Sequence, residues 1–384
     1  MRKPLTYADT GVDVDVEELA AKIMYDAARA TWAARVGKPG EVLAPLNDFS
    51  GLRAIDVGAL PPGTMMGLGF DGVATKAELA ERLGCYDTLG YDLIAMVCDD
   101  AVVRGAEPVV MGSILDVSSL GSGHERLEII RDLAEGYMAA ALEAGVAIIN
   151  GEVAQLGSRV GGVSEMPFNW GAGVVWLGLK DRLLSGMDVR AGDALVGLRE
   201  TGLRCNGLSL VRRVMALEYG HNWPGDSEEA REFAAMALLP SVIYTPTLLD
   251  MSGGCNPERE AKVRIHAVAH ITGSGLPGKL GRALRPSGLS AVIDNHFDPS
   301  ALMIWCQIAG KISDYEAYRT WNMGQGMVIA TPDADAAIAV AEAHGVEAKV
   351  IGAVISTPPS STASISIANR GCNSRAQPVI KFPI

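Results

Sequence analysis

YDTLGYDLIAMVCDDAVVRGAEPVVMGSILDV, residues 86–117, decides the fold class. From about 87 to 104 its apolar residues recur at helical spacing. Gly105 then stops the helix and Pro108 lies beyond it. PVVMGSILDV, 108–117, is a continuous apolar run of strand length and predicts a buried strand. Working outward, TMMGLGFDG (64–72) predicts a strand ending in a turn. HERLEIIRDLAEGYMAAALEAG predicts a helix ending at Gly145, followed by the strands VAIIN and FNWGAGVVWLGL. Before all of these, DVEELAAKIMYDAARATWAARVG predicts a helix with Leu19, Ile23 and Ala27 on one face. The first half is thus β-α-β-α-β-β, an α/β or α+β layer arrangement.

The second half starts near Arg190. AGDALVGLRE is a strand, TGLRCNG a turn, and LSLVRRVMALEYG a helix. RIHAVAHITGSGLPGKLGRAL supplies a buried segment, a Gly-rich loop and a short helix. DADAAIAVAEAHG is an amphipathic helix and AKVIGAVIS a closing strand. SGGCNPEREAKVR (252–264) is expected to be an exposed insertion. The Ser/Thr/Pro-rich stretch from Ser356 is expected to be a loosely packed extension. The resulting division is an N-terminal segment 1–50, an α/β domain 51–185, a second α/β domain 186–356, and a tail 357–384.

Of 384 residues, 48% are hydrophobic and 20% charged, a globular composition that argues against disorder. The formal net charge of −12 argues against a general nucleic-acid binder, which needs a basic face for phosphates. No apolar run approaches the ~18–20 residues of a membrane-spanning helix. No apolar leader follows Met1, so no secretory signal is expected. Cys85, Cys98, Cys205, Cys255, Cys306 and Cys372 form no CxxC, which fits scattered reduced thiols in a cytoplasmic protein.

Several positions could carry chemistry. In GFDGVATK (69–76) an acid, Asp71, closes a strand and Lys76 follows five residues on. A carboxylate and an ammonium there suit Mg²⁺ and polyphosphate, although the local pattern alone is that of a solvated turn. In the helix at 87–104, Asp92 and Asp99 share a face and Asp100 sits about 100° round. Either a divalent cation or water accounts for these acids, because unpaired burial is expensive. Glu152 follows a strand directly, and with Asp71 suggests two carboxylates at one sheet edge. TGLRCNGLSLVRR (201–213) leads from a strand through a Gly turn into a helix whose free N–H groups suit an anion, with Arg204 adding charge. HITGSGLPG (270–278) repeats that logic. His266 and His270, four apart, would share one face of a helix, but no third ligand clusters with them.

Six segments taken in order, YADTGVDVD (7–15), FDGVATK (70–76), YDTLGYDLIAMVCDDAVVRGAEP (86–108), NGLSLVR (206–212), HAVAHITGSG (266–275) and YRTWNMGQGM (318–327), resemble the aminoimidazole ribonucleotide synthetase family, the phosphoribosylformylglycinamidine cyclo-ligases. The similarity runs from about Tyr7 to Ser356.

It implies two related α/β domains and a homodimer whose N-terminal sheets close a shared barrel. It also implies ATP and Mg²⁺ as cofactors and a small phosphorylated substrate. The implied activity phosphorylates the amide oxygen of formylglycinamidine ribonucleotide and closes the imidazole ring in purine synthesis. By position it implies Asp71, Asp100 and Glu152 as metal-linked acids. Gly72 and Lys76 fall beside ATP, and Lys76, Asp100 and His270 in catalysis. Arg204, Asn206, Gly207, Thr272, Gly273 and Gly275 fall on the substrate side. The chain differs from the family pattern at Ala74, where the family has Gly, at Gln155, where it has an acid, and at Arg204, where it has His. Arg204, read as an extra fixed cation, opens the alternative of a paralogue acting on another small, more anionic substrate. A non-catalytic nucleotide-binding dimer is the third reading.

Overall fold

The computed structural model describes residues 13–44 and 53–384. One of the sequence features, most of YADTGVDVD, lies outside the described residues. The chain divides into two compact units, the first with the residues up to Cys98 and 108–177, the second with 99–107 and 178–384. The first break falls within a helix, which the linear division at 185/186 did not anticipate.

In the first unit, α1 (Val14–Ala30) precedes a small ribbon of β1 (Val42–Leu43) and β2 (Ala54–Ile55). Then come β3 (Thr64–Gly72), α2 (Lys76–Leu83), α3 (Leu89–Val102), β4 (Glu107–Val117), α4 (Glu125–Ala144), β5 (Ala147–Gln155) and β6 (Phe168–Leu179). The four longer strands form one sheet in the order β3-β6-β4-β5, with β4 and β5 parallel. The core gathers Leu93 and Ile94 of α3, Leu133 and Tyr137 of α4, and Trp170 of β6. The Tyr137 and Trp170 rings meet edge-on at 5.1 Å. α3 and α4 approach backbone to backbone: a Cβ on Gly90 would stand 2.2 Å from Tyr137 N, and one on Gly136 1.8 Å from Asp87 O. Only glycine fits at that crossing.

Asp13 caps α1, accepting the N–H groups of Asp15 and Val16. The helix buries Val16, Ala20, Met24 and Ala28 rather than the expected Leu19, Ile23 and Ala27, a rotation of one position. Two hydrogen bonds at its far end account for the rotation: the Ile148 N–H donates to Thr31 Oγ1 at 2.8 Å, and the Trp32 indole donates to Ile148 O at 2.8 Å.

The second unit contains β7 (Ala194–Arg199), α5 (Leu208–Tyr219), α6 (Glu228–Leu238), α7 (Thr245–Ser252), β8 (Ala267–His270) and α8 (Gly275–Leu284). β9 (Ser290–Ile293), α9 (Ala301–Ala309), α10 (Asp314–Thr320), β10 (Gln325–Thr331), α11 (Ala334–Ala343), β11 (Ala348–Ile355), β12 (Ser364–Ala368) and β13 (Val379–Pro383) follow. Its seven strands run β13-β12-β9-β11-β7-β10-β8, antiparallel except for the β12–β9 pair. Val196, Leu198, Met327 and Ile329 of the sheet pack on Leu248 and Met251 of α7 and on Ala337 and Val340 of α11.

One expectation is corrected here. The tail beyond residue 357 is not loosely packed: β12 and β13 extend the sheet, with Ile365, Ile367, Ile380 and Phe382 alternating into the core. The segment 252–264 is mostly exposed from 257 onward, as expected, and buried at Gly253, Gly254 and Cys255; the Arg182 guanidinium holds it by donating to the carbonyls of Gly254, Asn256, Pro257 and Arg259.

Candidate active site

In the first unit, Asp71 closes β3 with an exposed carboxylate that accepts the Gly72 N–H at 2.7 Å. The turn that follows carries Ala74 at φ +50°, the left-handed region where the family pattern has glycine. Lys76 then begins α2, fully buried, its ammonium 2.7 Å from the equally buried Asp92 carboxylate. Lys76, expected beside phosphates, is in this structure half of an internal ion pair. Glu152 is exposed on β5, in register with Ile114 of β4. β3 and β5 are the two outer strands of the sheet, so Asp71 and Glu152 stand at opposite edges and not, as expected, at one. Gln155, where the family pattern has an acid, accepts the Leu120 N–H at 2.8 Å through Oε1. Its Nε2 donates to Glu17 at 2.8 Å. An ionised glutamate could not make both bonds.

In the second unit, Asp99 and Asp100 part company. Asp99 is fully buried and accepts from Arg204 Nη2 at 2.8 Å, Tyr244 N at 3.1 Å and Thr245 Oγ1 at 3.0 Å. Arg204, at φ +56°, also donates to Glu200 at 2.9 Å and to the Val242 carbonyl at 2.9 Å. The expectation that Arg204 meets substrate is corrected: two buried carboxylates neutralise its charge inside the unit. The triad sets two carboxylates against one cation, and burial pushes the Asp99 carboxyl up to about 6.

Asp100 faces outward, its side chain 51% exposed, with Oδ1 2.6 Å from His270 Nδ1. Partial burial pushes its carboxyl up. The His270 hydrogen bond and the positive charges of Lys279 and Arg104 outweigh that and hold it below the ordinary carboxylate range. His270 closes β8. Burial, aided by the Arg204 charge, pushes its imidazole down to about 4. The ring is therefore neutral at neutral pH. Asp100 can only accept, so the proton sits on Nδ1 and Nε2 is left as an acceptor. His266 does not share this site: it precedes the strand and bonds Asp193 at 2.8 Å.

The two glycine turns are brought together. Gly207, at φ +74°, opens α5, and Ser274 and Gly275, at +80° and +59°, open α8. Neither helix start carries a side-chain cap, which leaves N–H groups available to an anion. A Cβ on Gly273 would lie 3.5 Å from Asn206 Nδ2, so one turn touches the other. The Asn206 side-chain oxygen, Oδ1, is buried with no hydrogen-bond partner. Thr272, nearly buried, donates its N–H to the His270 carbonyl at 3.1 Å. Sequence reasoning found these turns but missed Trp321, whose indole donates to the Gly207 carbonyl at 3.2 Å. Its position in YRTWNMGQGM was the only available signal.

Among the described residues, no group of three or more His, Cys, Asp or Glu stands close enough to hold a metal ion. The residues fit Mg²⁺ in another way. That ion keeps waters and phosphate oxygens and takes only one or two carboxylates, and each unit taken by itself presents one outward, Asp71 in the first and Asp100 in the second. No helix among the described residues is long and apolar enough to cross a membrane.

Two mixed α/β units, the second with an outward-facing Asp100 hydrogen-bonded to the buried His270 and with twin uncapped turns, define a phosphate-handling α/β protein. Residues 54–168 match the family model described as AIR synthase related protein, N-terminal domain, and residues 190–362 match its C-terminal domain. The chain belongs to the AIR synthase related family. It is 34% identical over 358 residues to the phosphoribosylformylglycinamidine cyclo-ligase of Nitrosococcus oceani, covering 92% of each chain. Among solved structures it is similar in fold to E. coli HypE, a hydrogenase maturation protein (TM-score 0.59, 16% identity, 96% of each chain). It is also similar to a hydrogenase maturation protein HypE solved in complex with ATP (TM-score 0.53, 17% identity, 84% of this chain and 85% of that one).

Proposed function

We propose that this protein is an ATP-dependent cyclo-ligase converting formylglycinamidine ribonucleotide to aminoimidazole ribonucleotide, with release of ADP and phosphate. The observation that carries the reading is the match, along 92% of each chain, to a cyclo-ligase with this name. The ATP complex of a fold neighbour supports the nucleotide. In the reaction, the substrate's formyl-amide oxygen takes the γ-phosphoryl group and ADP leaves. The amidine nitrogen then attacks the activated carbon, the C–O bond breaks, phosphate departs and the ring closes.

This chain's residues are suited to position the reactants. The N–H groups at the starts of α5 and α8 would bind phosphate oxygens. In the second unit Asp100 would hold Mg²⁺, which supplies charge neutralisation on the phosphates; in the first unit Asp71 is suited to the same role. His270, buried behind Asp100, donates from Nδ1 and fixes the orientation of that carboxylate. The burial of Arg204 removes the observation that favoured a more anionic substrate. The subunit arrangement expected of the family is a homodimer built on the exposed sheet face of the first unit. Incubating the purified protein with Mg²⁺, ATP and formylglycinamidine ribonucleotide tests the reading. ADP must appear only when the ribonucleotide is present, and ADP release indifferent to it would refute the assignment.

A further inference from the structure

The C-terminal segment reaches both glycine turns through one short helix. α10 begins at Asp314, which is 2% exposed. Its carboxylate takes its hydrogen bonds from neutral donors: Gln307 Nε2 at 2.7 Å, Asn369 Nδ2 at 2.6 Å and Asn373 N at 3.1 Å. One turn on, the Tyr318 hydroxyl accepts the Arg370 N–H at 3.0 Å. The Tyr315 ring stacks on Phe382 of β13 at 4.7 Å. The start of α10 is thus held by residues 369–382, which lie beyond the family match ending at residue 362.

The other end of α10 bears on the turns. The Tyr318 and Trp321 carbonyl oxygens would lie 2.0 Å and 2.9 Å from a Cβ on Gly275. The Trp321 indole holds the Gly207 carbonyl, and the Asn322 amide donates to the Gly202 carbonyl at 2.9 Å. A shift of α10 along its axis must therefore move both turns together, because close-packed contacts of this kind leave no slack.

We propose that the segment 369–384 is a clamp that sets the spacing of the Gly207 and Gly275 turns through α10, with Asn369 and Asp314 as positioning residues for a phosphorylated ligand. The ligand class rests on the function proposed above; the mechanical coupling does not.

Asn369→Ala removes the 2.6 Å donor from a buried carboxylate and substitutes no residue of either turn. The expected result is a rise of about tenfold in KM for the ribonucleotide with kcat changed less than about twofold, smaller than the ~100-fold of a 1 Å misplacement. A merely structural role would lower the folded fraction, and so apparent kcat, with KM unmoved. Arg370→Ala serves as the comparison. It loses the 2.6 Å ion pair to exposed Asp298 but keeps the backbone N–H on Tyr318, and KM should stay unchanged. An equal rise in both variants overturns the route through Asp314.

Hydrogen exchange separates this proposal from the functional one. In folded Asn369→Ala, peptides covering 201–208 and 270–276 should exchange several-fold faster than in the parent. Unchanged exchange at both turns overturns the clamp. If the parent shows no turnover of the ribonucleotide, the functional reading fails and the exchange data still decide the coupling.

Discussion

Asp99 and Asp100 differ by one peptide bond and by everything else that matters. Removing Asp99 leaves Arg204 paired with Glu200 and takes the acceptor from the Tyr244 N–H and the buried Thr245 hydroxyl. Asp99→Ala should therefore cost about 3–5 kcal/mol of stability, measured by denaturant unfolding. Asp100→Ala should leave the midpoint nearly unchanged and lower ribonucleotide-dependent ADP release by about 100-fold or more; unaltered turnover would remove Asp100 from the site. The sequence showed three acids on one apolar helix but not which of them have internal cations. Those partners, Lys76 for Asp92 and Arg204 for Asp99, lie 16 and 105 residues away. The twin turns, by contrast, were legible, since backbone conformation is dictated locally by Asn-Gly and by clustered glycines.

His296 supplies a pH test at a distance from that chemistry. It is buried, its Nε2 is 2.8 Å from the Tyr318 hydroxyl, and burial together with the Arg370 and Lys349 charges pushes it down to about 4. The unfolded chain takes up this proton near pH 6.5 and the folded chain only near 4. The stability tied to a neutral His296 is thus present above about 6.5 and is lost as pH falls toward 4. The full effect is on the order of 3 kcal/mol. In His296→Leu that loss is absent, so the gap in unfolding free energy between parent and variant should narrow from pH 7 to pH 4. A gap constant over that range would show that His296 titrates normally.

Elements were legible where one period ran uninterrupted. TMMGLGFDG and FNWGAGVVWLGL form strands at their predicted limits, 64–72 and 168–179, and Gly145 ends α4 in the left-handed conformation as expected. Two misreadings have identifiable causes. For α1, alanines on both flanks make adjacent faces equally apolar, so only the distant bonds to Ile148 choose between them. For the tail, a Ser/Thr/Pro-rich lead-in hid the alternation in SISIA and VIKFP, which becomes meaningful only with β9 alongside.

Gln155 joins such elements, tying α1 through Glu17 to the loop at Leu120. Gln155→Glu should destabilise by about 1–3 kcal/mol, because Glu17 loses its donor and gains a like charge. Adding Glu17→Gln should restore most of that, since a glutamine at 17 can donate to a glutamate at 155. A double variant no more stable than the single would show that the link contributes nothing.

At the scale of the whole molecule the open question is what covers the first unit's sheet. One face packs on α3 and α4. The other is a concavity of about 650 Å³ whose lining includes Leu68, Phe70, Ile114 and Val175. Phe70 is 76% exposed, Leu68 58% and Ile114 56%. A run of large apolar side chains on the face of a sheet with open edges invites a second sheet. In a symmetric dimer the same patch serves both copies, so one substitution acts twice. Each large apolar side chain taken out of water contributes about 1.5–3 kcal/mol. Phe70→Asp replaces two such contributions with two charges that find no partner in an apolar interface. Sedimentation of the parent at micromolar concentration should give twice the 40.3 kDa chain mass, and Phe70→Asp should sediment as a monomer with its secondary structure intact. If the parent already sediments at the mass of one chain, the homodimer expected from the family is wrong for this protein and the apolar face must be explained some other way.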